Sequence, residues 1–170
     1  KAIELVDNLG PSIKKGYDTA VNKFSKDLLK IVLFSIATGT PPKGTGINWE
    51  PHSPITTKKY GEHPIYYLTG TYYRAIGLFK YKDKTLVGLP RSKGRSSSGG
   101  ITLGELARIL EYGTGGRGGG KSSGTIPPRP LWNPAINAVG GKDRLRSMII
   151  KNIRKQLYGF GIRANQVRWR

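Results

Sequence analysis

From Ile13 to Ile36 the positions Ile13, Tyr17, Ala20, Val21, Phe24, Leu28, Ile31 and Ser35/Ile36 recur at helical spacing, and no other stretch constrains the fold so tightly. Lys14, Lys15, Asn22, Lys23, Lys26 and Lys30 take the opposite face, so this is an amphipathic helix with one side to bury. Gly39 and Pro41-Pro42 end it: glycine accepts the left-handed turn after a helix, and proline cannot continue one. Upstream, KAIELVDNLG reads as a separate short helix closing at Gly10, with Pro11 opening the next.

Downstream, Pro41, Pro42, Pro51, Pro54 and Pro64 punctuate residues 39–66, which read as one proline-rich extended loop. Loops of that length in a compact domain are usually functional or held by a partner. Leu68–Ile76 reads as a short helix, and Gly77–Tyr81 with Thr85–Leu89 as a β-hairpin around Lys82-Asp83-Lys84. Residues 90–100 and 113–126 are Gly/Ser-rich loops. Between them, Thr102 and Glu105 form a capping box for a helix carrying Leu103, Leu106, Ala107, Ile109 and Leu110. Asn133-Pro134 reads as cap and first turn of the last helical region, in which Leu145, Met148, Ile149, Ile153 and Leu157 form a stripe. Gly140-Gly141 mark a break or kink, and Gly159 and Gly161 stop the helix before a basic tail, 159–170. The expected fold is α+β: a small, mostly antiparallel sheet flanked by a long N-terminal helix, a short central helix and a C-terminal helix, with long ordered loops. At 170 residues it reads as a single domain, 1–170.

Charge narrows the class of partner. There are 29 Lys plus Arg against 10 Asp plus Glu, a net +19. Such an excess points to a polyanionic neighbour: nucleic acid, an acidic membrane surface or an acidic protein. Residues 139–170 hold 9 basic and 1 acidic residues, and 77–100 hold 6 and 1, so the charge is concentrated in the C-terminal segment and around the hairpin. With no cysteine, disulfides and thiolate metal sites are excluded. The apolar run Leu28–Ala37, broken by Lys30 and Ser35, falls short of the roughly 18 residues a membrane span needs, so no membrane partner is expected.

Gly115–Ser122, GGRGGGKS, spells the phosphate-loop pattern G-x-x-x-x-G-K-S, and Gly113, Gly115 and Gly118 spell G-x-G-x-x-G. Both motifs need a strand before the loop and a helix after it, aiming amides at phosphate. Here a helix precedes, and Gly124, Pro127, Pro128 and Pro130 forbid a helix after. Six of the eight residues Gly113–Gly120 are glycine, a composition that matches glycine patterns by chance. The preferred reading is a loop carrying Arg117 and Lys121 towards a partner. His52 and His63 lack a third ligand at metal-site spacing, and the carboxylates and serines form no acid–base pair or nucleophile elbow. Tyr66, Tyr67, Tyr72, Tyr73 and Tyr81 near the hairpin lysines could stack on bases, but such tyrosines more often pack half-buried. No catalytic, cofactor-binding or metal residues are expected, and the chain does not read as an enzyme.

Trp49-x-Pro51, Thr56, Lys58 and Leu68-Thr69-Gly70, then Ala107, Glu111-Tyr112-Gly113-Thr114 and Ile126-Pro127-Pro128-Arg129-Pro130 with Trp132–Ala135, resemble the ordered pattern of tailed-bacteriophage virion-morphogenesis proteins, the tail-completion or neck family. The resemblance runs over roughly residues 12–158. Pro128 stands for the usual Ala, His52 for Leu, and Tyr72 where Leu would follow Thr-Gly. It implies a ring homo-oligomer at the virion neck, assembled in the host cytoplasm. That ring would join the head connector or adaptor to the tail tube or tail terminator, with DNA passing non-specifically through its lumen. On that footing Lys80, Lys82, Lys84, Arg91, Lys93, Arg95, Arg117 and Lys121 are expected to face DNA or an acidic neighbour. Glu111, Tyr112, Gly113, Thr114, Ile126, Pro127, Arg129, Pro130 and Trp132 are expected to form a structural brace or subunit contact, with Ile126–Pro130 positioning Trp132 against the core. The alternative is a basic nucleic-acid-binding protein of architectural or ribosomal type.

Overall fold

The computed structural model describes residues 2–64, 70–82, 84–89, 102–114 and 126–158. Its elements are helices α1 (Ala2–Thr38), α2 (Pro54–Tyr60), α3 (Thr71–Ala75), α4 (Leu103–Tyr112), α5 (Trp132–Ala138) and α6 (Gly141–Tyr158), with strands β1 (Gly77–Tyr81) and β2 (Lys84–Gly88). The class is α+β with a small antiparallel sheet, as the sequence leads one to expect. Contacts divide the chain into two units, Lys1–Lys26 with Gly140–Arg170, and Asp27–Val139.

In the first unit Ala20, Phe24, Ile153 and Leu157 are buried. Helix α1 does not break where expected but continues through Pro11. Proline disfavours a helical conformation in the residue before it, partly through that residue's Cβ, and Gly10 has none. Further on, Gly16 marks the crossing with α6. A Cβ there would sit 2.8 Å from both Cα and N of Ile153. Mid-helix glycine costs roughly 1 kcal/mol against alanine, so the close approach explains its presence. Gly16→Ala is expected to lower stability by about 1–2 kcal/mol, overpacking outweighing the gain in helix propensity. Urea unfolding with an unchanged or raised midpoint would refute the close crossing.

In the second unit Leu28, Val32, Ile36, Trp49, Tyr72, Ile76, Leu103, Leu110, Leu131, Ala135 and Val139 are buried. Along α1 the buried line runs Ala20, Phe24, Leu28, Val32, Ile36. Steps of four overshoot the 3.6-residue turn. The line therefore drifts round the helix, takes in Val32, and leaves Tyr17 46 % exposed. Gly39, at φ 68°, ends the helix as its sequence requires.

The proline-rich stretch is less irregular than expected, because α2 forms inside it. Ser53 caps this helix by accepting the Thr56 N–H at 3.3 Å, Pro54 takes the first turn, and Gly61 closes it. Proline at that position loses no helical hydrogen bond, so a proline count alone misreads it. Helix α3 is shorter than the expected Leu68–Ile76 helix: it starts only at Thr71, after Gly70 in a left-handed conformation at φ 66°, and ends at Ala75, with Ile76 extended. The hairpin forms with register Gly77↔Gly88 to Tyr81↔Lys84. Its second strand starts one residue earlier than expected, because Lys82 adopts φ 53°. Two-residue hairpin turns require that left-handed backbone. Val139 and Gly140 separate α5 from α6, with Gly140 at φ 99° and Gly141, the first residue of α6, at φ 64°. The α6 helix ends at Tyr158, and the glycines and tail of 159–170 lie outside the described residues.

Candidate functional site

Helix α4 opens on the full reciprocal capping box of Thr102 and Glu105. Glu105 is held below the usual carboxylate range by the hydrogen bonds from the Thr102 backbone and side chain. At the other end of α4 the consecutive residues Glu111 and Tyr112 part company. Glu111 is 9 % exposed and Tyr112 is 74 % exposed. Gly113 then turns the chain at φ 72° and its N–H donates to the Ile109 carbonyl.

The residues that follow meet the segment 126–131. The Thr114 N–H donates to the Ile126 carbonyl at 3.0 Å, and the Ile126 N–H donates to Thr114 Oγ1 at 2.8 Å. Thr114 and Ile126 thus form a hydrogen-bonded clamp. Along 126–131 only Ile126, Arg129 and Leu131 possess an N–H, since Pro127, Pro128 and Pro130 have none. Each of the three is used. Ile126 bonds Thr114, Arg129 bonds the Leu110 carbonyl at 2.7 Å, and Leu131 bonds Glu111 Oε2 at 2.8 Å.

Glu111 also receives the Trp132 N–H, at 3.3 Å to Oε1 and 3.4 Å to Oε2. Its carboxylate therefore sits on the first free amides of α5, where a negative charge is favoured. This corrects the expectation for Asn133-Pro134. The helix begins two residues earlier, at Trp132 rather than Pro134, Leu131 supplies no side-chain cap, and a glutamate from another helix does the capping.

On its other side the segment is tied to residues 49–51. Arg129, 4 % exposed, donates from Nε to the Glu50 carbonyl at 2.9 Å and from Nη2 to the Pro51 carbonyl at 3.1 Å. The Trp49 indole N–H donates to the Pro130 carbonyl at 3.1 Å. Ile126–Pro130 is thus fixed between α4 and the 49–51 stretch. The residue it drives fully into the core is Leu131, at 0 % exposure, while Trp132 is half-buried with its ring close to Gly88. The Trp132 side chain also hydrogen-bonds Tyr72, whose hydroxyl is pushed well above the phenol range by burial and by the nearby Glu111.

His52 and His63 lie beside this junction with ring centroids 4.3 Å apart. The Nε2 atoms of both are buried without a hydrogen-bond partner, and His63 Nδ1 bonds the Pro64 carbonyl at 2.9 Å. Burial first, then His63 and Arg129, hold His52 below the ordinary imidazole range. Among the described residues no group of three or more His, Cys, Asp or Glu is arranged to hold a metal. An unfolded His52 takes its proton near the ordinary value of 6.5, while the folded one resists it. Stability from burying neutral His52 is therefore present above that value and falls as pH drops through it. Thermal unfolding midpoints are expected to be lower at mildly acid than at neutral pH, and His52→Gln to flatten the difference. Equal midpoints in the wild-type chain would refute the buried pair.

The cationic residues expected to face DNA do not converge where they are described. Lys80 pairs with Thr85 and Lys84 with Tyr81, which puts the two on opposite faces of the hairpin. Lys82 sits at the turn with Nζ 5.7 Å from the Tyr81 ring centre. Arg91, Lys93, Arg95, Arg117 and Lys121 lie outside the described residues, as do Tyr66, Tyr67, Leu68 and Thr69. So does the phosphate-loop lettering, Gly115–Ser122, whose described flanks are helix α4 before it and the non-helical 126–131 after it. No helix among the described residues is long and apolar enough to cross a membrane. No protein-family model, no curated protein and no solved structure matches this chain.

Proposed function

We propose that this chain is a structural component of a tailed-phage neck, forming a ring that joins the head connector to the tail tube and lets DNA pass. The observation that carries the reading is the junction itself. The two segments that resemble the family, Glu111–Thr114 and Ile126–Pro130, are separated by residues 115–125 yet locked together by Thr114, Ile126, Arg129 and Leu110. Glu111 and Arg129 are spent on internal bonds, whereas Tyr112 and Ile126 keep 74 % and 38 % exposure. Buried polar groups that fix a framework, with apolar side chains left outside it, suit a surface that meets the next subunit of a ring. Enzymatic chemistry is not part of the proposal.

Imaging purified virions at subunit resolution tests it. A ring of this chain between connector and tail tube is the expected result, with Tyr112 and Ile126 at a subunit boundary. Absence of the chain from the particle would overturn the proposal.

A second reading, a free nucleic-acid-binding protein of architectural type, draws on the cationic C-terminal helix. It predicts tight binding by the isolated chain with a steep dependence on salt.

A further inference from the structure

We infer that the face of α6 bearing Lys151, Arg154 and Lys155, with Lys23 of α1 beside it, is a docking surface for the phosphate backbone of duplex DNA. The hairpin lysines singled out by the sequence are not that surface.

Lys23, Lys151, Arg154, Lys155 and Tyr158 line one cleft of about 910 Å³ within the first unit, together with Met148 and neighbouring residues of α6. Among the described lining residues there are four cations and no carboxylate. Positions 151, 154, 155 and 158 are spaced i, i+3, i+4 and i+7, so they share one face, and all four are exposed. The buried residues Ile153 and Leu157 point elsewhere, so packing does not require cations on this face. Like charges three and four apart weaken a helix. A face that keeps them is suited to an external counter-charge.

The chemistry favours a duplex over the other polyanions. Lysine is depleted in protein–protein interfaces, which centre on aromatic and arginine anchors. Single strands are held on rows of aromatic rings, and this cleft offers Tyr158 alone among its described lining residues. Duplex DNA presents roughly one negative charge per 1.7 Å of axis, and its backbone accepts lysine as a point charge without regard to sequence. The inference rests on the neck reading for the choice of DNA as occupant.

The test uses the full chain and a fluorescein-labelled duplex of arbitrary sequence, with anisotropy read across a salt series. Changing Lys151, Arg154 and Lys155 together to Gln is expected to weaken binding about tenfold or more at fixed salt. It should also reduce the slope of log K against log salt by about 2.7, since each phosphate contact contributes about 0.9. Changing Lys80, Lys82 and Lys84 to Gln is expected to leave affinity within about threefold. Circular dichroism melting checks that both variants fold. Wild-type affinity in the α6 variant, or an equal loss in the hairpin variant, would overturn the assignment. So would displacement of the duplex by polyglutamate at equal charge, which would name an acidic protein as the occupant. A chain that sits in the neck yet binds no duplex would sink this inference alone. A chain that binds through α6 yet is absent from virions would sink the neck reading alone.

Discussion

Replacing Glu111 with alanine is expected to lower the free energy of unfolding by about 3 kcal/mol, because charge-assisted hydrogen bonds are worth about 1.5–3 kcal/mol each and their buried partners would be orphaned. The carboxylate holds the Leu131 and Trp132 amides, and Leu131 is fully buried, so water cannot replace it easily. Glu111→Gln keeps one acceptor oxygen but turns an amide donor towards backbone N–H groups, and should lose roughly half as much. The comparison is Glu105→Ala, which removes one side of an exposed capping box at a cost of about 1 kcal/mol or less. Denaturant midpoints at constant m-value measure all three. If Glu111→Ala proved no worse than Glu105→Ala, the remote cap would not be a major source of stability.

The second large effect is expected at Gly113. It adopts φ 72°, and a Cβ there would stand 2.6 Å from the Ile126 carbonyl oxygen and 3.0 Å from the Pro128 nitrogen. Gly113→Ala therefore meets two costs. Its backbone, at φ 72° and ψ 178°, lies in a region nearly reserved to glycine and costs an L-residue about 1–3 kcal/mol, and forcing backbone apart costs a further 1–3 kcal/mol or so. Gly61 separates them, since it has φ 75° with nothing within 4 Å of its would-be Cβ. Gly61→Ala should show the backbone cost alone. Equal losses at the two sites would mean that the segment carrying Ile126 yields without resistance.

What the sequence made legible was local. The stop at Gly39, the hairpin, and the Thr102–Glu105 box are each written within a few neighbouring residues, and each formed. Helix α2 was written just as locally, in Ser53-Pro54. It is hidden when Pro54 is counted as a breaker rather than placed by position. The same pair of cues misled at Asn133-Pro134, where a stronger acceptor twenty residues upstream took over the capping. No spacing rule announces that Glu111 will turn inward while Tyr112 turns out. Nor does one tell that Arg129 will bind carbonyls at Glu50 and Pro51 rather than a carboxylate. The histidine pair was likewise read as two ordinary loop residues, because residues 52 and 63 meet only once the chain has folded back.

The bonded amides along 126–131 also bear on crowded assembly. Exposed extended backbone beside apolar side chains is what invites one chain to add itself to another as an extra strand. Here the stretch next to exposed Tyr112 and Ile126 has no donor left to offer, because three positions are proline and the other three are bonded within the chain. A surface of this kind can be sticky through its side chains and still be unable to template a sheet. Association along 126–131 then relies on side-chain contact rather than on donated backbone hydrogen bonds.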